Sequence, residues 1–174
     1  MSFLTINMST FMIGNFQQFA SDDIDDQDYF VALGSIGGVC ASLRFFWSLP
    51  VDYFSFKIVY TVMILTQFAL TIAMPYAVKN KTAYAFCVCV AFFCEGGHFT
   101  LVPTMYKKLF GEDGARVFGV GFSFIGIASL FQILLFQTLG GIVPQEIFLY
   151  IFGGMCILAL VILHLIFKNE KVKS

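Results

Sequence analysis

Charge is what this sequence has least of. Only 12% of its 174 residues are Asp, Glu, Lys or Arg, where a soluble domain carries about 25%. Hydrophobic residues make up 59% and aromatics 18%. A chain so poor in charge cannot cover itself with water-loving surface, so the composition points to an integral membrane protein. A formal net charge of −1 offers no basic surface for nucleic acid. No basic n-region and no small-residue cleavage site opens the chain, so its first apolar run reads as a span that stays and not as a signal peptide. Cysteine chemistry is also missing. Cys40, Cys87, Cys89, Cys94 and Cys156 all lie inside apolar runs, where a thiol serves as a small apolar side chain. Cys87-x-Cys89 lacks the spacing of a zinc or redox motif. No nucleophile–base pair, metal cluster or phosphate loop appears. The chain is therefore expected to be no enzyme and to need neither a metal nor a cofactor.

What remains is a series of long apolar runs. A membrane helix needs ~20 such residues, and six runs qualify: 2–20, 29–51, 58–78, 82–106, 117–143 and 146–167. They predict one all-α domain of six transmembrane helices over residues 1–174. Pro50, Pro75, Pro103 and Pro144 fall near predicted span ends, where a lost amide costs least.

Basic residues set the expected orientation. Six spans put both termini on one side. Lys57, Lys107, Lys108, Arg116, Lys168, Lys171 and Lys173 fall on that side, and Lys79 and Lys81 on the other. Both termini are therefore expected to face the cytoplasm of a plasma membrane or the matrix of a mitochondrial inner membrane. The Asp22–Asp28 loop holds five aspartates and reads as a solvated stop on the opposite side.

Small residues four apart occur at Gly34-x-x-x-Gly38 on the second span and Gly119-x-x-x-Ser123 on the fifth. Such pairs let helix backbones approach closely. The second and fifth spans are also counterparts if the chain is two three-helix repeats of inverted topology, a known transporter arrangement. Ordinary helix packing explains the glycines equally well.

Three ionisable residues lie deep within spans: Arg44, Glu95 and His98. A charge at the centre of a span costs about 2.5–3.5 kcal/mol on translocon-insertion scales, so such groups face protein or a water-filled cavity. Glu95 and His98 are three apart and share a helix face. The second and fourth spans run in the same direction, and the three residues sit at similar depth. They are expected to form an anion or proton site, or else a buried ion pair that fixes packing. His164, near the end of the last span, reads as an interfacial residue.

Three further motifs carry a resemblance. Leu43-Arg44-Phe45-Phe46-Trp47-Ser48-Leu49-Pro50-Val51-Asp52 is similar to a G-R-x-F-W-G-x-x-S-D pattern. Gly96-Gly97-His98-Phe99-Thr100-Leu101-Val102-Pro103 is similar to G-G-x-x-x-L-x-P. Leu109-Phe110-Gly111-Glu112-Asp113-Gly114-Ala115-Arg116-Val117-Phe118-Gly119 is similar to L-F-G-x-x-x-G-x-x-Y-G. In this order they resemble the C-terminal half, spans seven to twelve, of a major facilitator superfamily transporter of the oxalate/formate antiporter and monocarboxylate transporter branch.

The resemblance implies that Arg44 binds a substrate carboxylate, with Glu95 and His98 in the same site. A guanidinium fork suits that ligand. It also implies that Asp52, with Lys57 and Arg116 for basic company, belongs to a loop signature that braces helix ends. No base stands in residues 121–126, where oxalate exchangers of that branch carry a lysine, which argues against a dicarboxylate.

Transporters of this fold bind substrate between two halves. Three expectations follow. The chain is a half-transporter that pairs with a copy of itself or a partner half. Or it is a transporter-derived accessory subunit of a larger membrane complex, such as one in the mitochondrial inner membrane, with no transport activity. Or it is a piece of a longer transporter. Membrane lipids are partners in every case. A mitochondrial carrier is set aside, because Pro50-Val51-Asp52-Tyr53-Phe54-Ser55 lacks the base of that family's signature and no triplication appears.

Overall fold

The computed structural model describes residues 2–140 and 142–166. Phe167, Lys168, Lys171 and Lys173, which entered the span and orientation expectations, lie outside the described residues, as does position 141. The described chain is all-helical, with no strand. Its elements are α1 (Ser2–Ala20), α2 (Gln27–Ser42), a 3-10 segment (Leu43–Trp47), α3 (Leu49–Tyr53), α4 (Phe56–Ala77), α5 (Lys81–Phe110), a 3-10 turn (Gly111–Asp113), α6 (Gly114–Leu139) and α7 (Gln145–Ile166).

Four stretches are long and apolar enough to cross a membrane: Gln27–Tyr53, Phe56–Ala77, Lys81–Leu139 and Gln145–Leu165. The third contains both α5 and α6. Helix α1 is not among them. It carries Thr5, Asn7, Ser9, Thr10, Asn15, Gln17 and Gln18, and these lower its hydropathy.

Local chemistry sets the ends. The Asp26 carboxylate caps α2 by accepting from the Tyr29 amide at 3.0 Å. Asn80 caps α5 through the amides of Thr82 and Ala83. Such caps satisfy amides that a helix start leaves unpaired. Gly111 ends α5 with φ +55°, a left-handed conformation that glycine adopts at no steric cost. Pro75 lies in the last turn of α4, near its end as expected, whereas Pro103 departs from that expectation and lies inside α5, two turns before its end.

The second span is interrupted. Pro50 has no amide hydrogen and crowds the carbonyl four residues earlier. The chain tightens to a 3-10 segment before it and restarts as the five-residue α3, with Pro50 in its first turn.

Helix α5 is central and packs against α1, α2, α4, α6 and the first 3-10 segment. Helix α1 packs mainly against α5, α6 and α7, and α4 packs against α7. The pattern has an internal exchange. If α1, α2 and α4 trade places with α5, α6 and α7, then α5–α2 becomes α1–α6, and α5–α4 becomes α1–α7. The α1–α5 and α4–α7 pairs map onto themselves. The α5–α6 contact has no counterpart of similar extent between α1 and α2. An aromatic cluster fills one end of the core, where Phe11 meets Phe136, Phe148 and Phe152 at 5.2–5.8 Å between ring centres. The outer faces of α4 and α7 are apolar, with Val62, Leu65, Ile72, Ile157, Leu158 and Val161 exposed.

Candidate functional site around Arg44, Glu95 and His98

Arg44 sits in the 3-10 segment, whose seat is built on two glycines. A Cβ on Gly96 would stand 2.5 Å from the Ala41 carbonyl oxygen and 2.9 Å from the Arg44 Cβ. A Cβ on Gly97 would stand 2.7 Å from Trp47 Cδ1 and 2.8 Å from Met63 Sδ. The bare backbone of α5 therefore lets the Arg44 segment in on one side and α4 on another. Trp47 locks the contact: its indole Nε1 donates to the Phe93 carbonyl at 3.1 Å, and its ring stacks on Phe93 at 5.1 Å. Gly37, one turn and more before Ala41, packs on the Phe92 ring. Gly37, Ala41 and Arg44 thus form one stripe against α5. Gly96 lies at the middle of the 30-residue α5, so Arg44 stands at mid-length of the bundle. Its side chain is exposed and makes no hydrogen bond or ion pair among the described residues.

Glu95, next to Gly96, turns toward α1. Thr10 Oγ1 donates to its Oε1 at 3.2 Å. Its Oε2 is buried and has no partner among the described residues, so this carboxyl keeps free capacity for a proton or a donor.

His98 goes elsewhere. It is fully buried and faces α4. The Gln67 side-chain amide lies 3.1 and 3.3 Å from its Nε2, and Tyr60 Oη lies 3.5 Å from its Nδ1. Tyr60 Oη is 2.9 Å from Thr5 Oγ1, and Gln67 Nε2 donates to Ser9 Oγ at 2.5 Å. All five residues are buried to 1% exposure or less. The network joins α1, α4 and α5, and these five residues include no carboxylate and no lysine or arginine. A hydrogen-bonded buried network of this kind fixes helix packing.

No hydrogen bond or ion pair joins any two of Arg44, Glu95 and His98 among the described residues. A buried ion pair was one of the two expectations, and Arg44 and Glu95 form none among the described residues. Three-residue spacing put Glu95 and His98 on neighbouring positions of α5, but α1 and α4 each claim one of them.

The loop-signature residues also separate. Asp52 is exposed on α3. Arg116 pairs with Asp113 at 3.8 Å, at the start of its own helix. Lys57 Nζ reaches the His164 carbonyl of α7 at 3.5 Å. The cation that reaches the α3 segment is Lys108, whose Nζ lies 3.5 Å from the Val51 carbonyl; sequence reasoning had not singled it out. Nor had it singled out Thr10, Ser9 and Tyr60. A signal was present: Thr5 and Ser9 are one turn apart, and Tyr60 and Gln67 two turns apart, so each pair shares a helix face.

No protein-family model, no curated protein and no solved structure matches this chain.

Proposed function

We propose that the chain forms one six-helix half of a major-facilitator-type transporter for a small organic anion. Its working cavity is closed by a second half, in a partner chain, in a second copy or in the same longer polypeptide. Arg44 carries this reading. It is an exposed guanidinium at mid-length of an apolar bundle, seated by Gly96 and Trp47 and left without a partner among the described residues. An arginine at that depth needs protein or water before it. A second wall and an anionic ligand supply both, and the guanidinium fork fits a carboxylate. Two features support the fold. The exchange between the α1–α2–α4 and α5–α6–α7 contacts is what inverted repeats produce. The helix also breaks at Arg44, as transporter helices do at their ligand sites. In this reading Glu95 lies beside the anion path, and His98 ties the helices behind it.

The test is uptake of labelled formate, lactate and pyruvate into liposomes holding the particle extracted from its native membrane. Wild type should accumulate at least one of them, and Arg44→Lys should lower uptake about tenfold, because an ammonium keeps the charge and loses the fork. Equal uptake by the two, with normal folding, overturns the proposal.

A second reading has its own observation. Helix α6 buries only Gly114, Ile125, Ala128 and Gln132 and exposes Val120, Phe124, Leu130 and Leu134 among others. So wide an apolar surface suits an accessory subunit of a larger membrane complex. A native particle containing the chain in fixed ratio to many other proteins, and moving none of the three anions, decides for that reading.

A further inference from the structure

Helix α1 carries a polar stripe on its surface. Thr10, Gly14, Gln18 and Ser21 follow one another at steps of four, four and three residues. At about 100° per residue they fall within about 80° of the helix circumference and span about 16 Å of its length. Gly14, Gln18 and Ser21 are exposed, and Thr10 is half-buried. From this stripe we infer that α1 walls a water-filled groove, which admits small cations from the Asp22–Asp28 end of the bundle as far as Thr10. The route lies apart from Arg44 and does not depend on anion transport.

Lipid does not suit this surface. Hydroxyl and carboxamide groups gain nothing from hydrocarbon, and polar groups at span depth face protein or water. The outer faces of α4 and α7 are different, with Val62, Leu65, Leu158 and Val161 exposed. Gly14 keeps the groove open: a Cβ there would meet Gln132 Nε2 alone, at 3.9 Å. Gln132 is itself only 5% exposed, and its Oε1 has no partner among the described residues. A buried amide left unsatisfied beside an open position is what a bound water relieves.

Charge gives the groove its selectivity. Asp22, Asp23 and Asp25 are exposed where the stripe ends, and none of them is in an ion pair among the described residues. Lys81 meets Asp26 instead. At the inner end, Thr10 is bonded to another carboxyl, that of Glu95. A cleft rimmed by one sign of charge between low-dielectric walls concentrates the opposite sign. Cations are therefore admitted and anions held back.

Thiol labelling of the full chain in its native membrane tests the groove. Gly14→Cys or Gln18→Cys adds one thiol, and intact mass counts the labels above those of the parent chain. The probes are two methanethiosulfonates, one ending in trimethylammonium and one in sulfonate, each rate taken relative to a small thiol in solution. Both new thiols should react from the side that labels Ser21→Cys. The cationic probe should be favoured about threefold, and Asp22→Asn with Asp23→Asn should remove most of that preference. Leu158→Cys, on the apolar face, should react with neither. If Gly14→Cys fails to fold, Gln18→Cys decides. Labelling as slow as at Leu158, equal rates of the two probes, or a preference unchanged by the double aspartate change overturns the inference.

Discussion

His98 shows at the residue scale how a titratable group can serve packing. Its ring fills a site whose other members are Gln67, Tyr60, Ser9 and Thr5. His98→Ala should destabilise the bundle by about 1–3 kcal/mol, since hydrogen bonds inside membranes average about 0.6 kcal/mol each and a cavity adds to their loss. His98→Leu combined with Gln67→Leu should recover part of that loss, because an apolar pair leaves no orphaned amide. Unfolding in mixed detergent micelles measures both; a double variant less stable than His98→Ala would contradict the network reading. The sequence made His98 and Glu95 visible as ionisable residues in apolar runs. It could not assign their partners. Which neighbour a side chain on α5 meets depends on the rotation of α1 and α4, and that is set by contacts more than thirty residues away.

Elements carry the next level of detail. The seam between α2 and α5 depends on Gly96, where any side chain would collide with the Ala41 carbonyl. Gly96→Ala should cost about 1–3 kcal/mol through forced separation of the two helices. Gly38, which has open space around its Cβ position, should accept alanine without that loss; the same unfolding assay compares them. At the far end of the seam Asp26 joins the starts of the same two helices. Its carboxylate meets Lys81 Nζ at 2.6 Å, and Tyr29 Oη donates to the Lys81 carbonyl at 2.5 Å. The hydrogen bond from Lys81, then that from the Tyr29 amide, holds the Asp26 carboxyl below its ordinary range. A folded value below the unfolded one means that this link stabilises the protein above the ordinary aspartate range. The contribution is lost as pH falls through the lowered value. Asp26→Asn keeps a good cap and removes the charge, so it should flatten that part of the stability–pH curve; a curve parallel to wild type would disprove the link. The long helices were legible in the sequence as apolar runs, but six spans were expected and four stretches are long and apolar enough to cross a membrane, α1 not among them. The break at residues 43–47 was not foreseen: Pro50 was read as marking a span end, and the effect of its missing amide extends back beyond the residue before it.

For the whole molecule, sidedness is the first thing to establish. Both termini and the Lys107–Arg116 segment are expected on one side, with the Asp22–Asp28 loop on the other, from the asymmetry of lysine and arginine. Single cysteines at Ser21 and Lys107, placed in a background free of the native five, should label with an impermeant reagent from opposite sides. Labelling of both from the same side would refute the arrangement. The exchange of contacts between α1–α2–α4 and α5–α6–α7 was not expected from the glycine spacing, for which inverted repeats were one of two explanations. Contacts reveal it where residue identities do not, since paired helices need matching shapes and not matching sequences.

Helix α1 has a consequence for how the protein is made. It leaves the ribosome before the other helices, yet it is the long helix whose composition falls short of the membrane-crossing stretches. Its Thr5, Asn7 and Ser9 are completely buried in the finished bundle, and its chief neighbours, α5, α6 and α7, are synthesised after it. Until those helices follow, α1 lacks the neighbours that cover these groups. Its final seat is incomplete until α7 is made, and α7 begins 125 residues after α1 ends, at Gln145 against Ala20. In the interval these groups need other cover, from an insertase groove, from another segment of the protein or from delayed entry into the bilayer. The order of synthesis is the reverse of the order in which this helix can be satisfied.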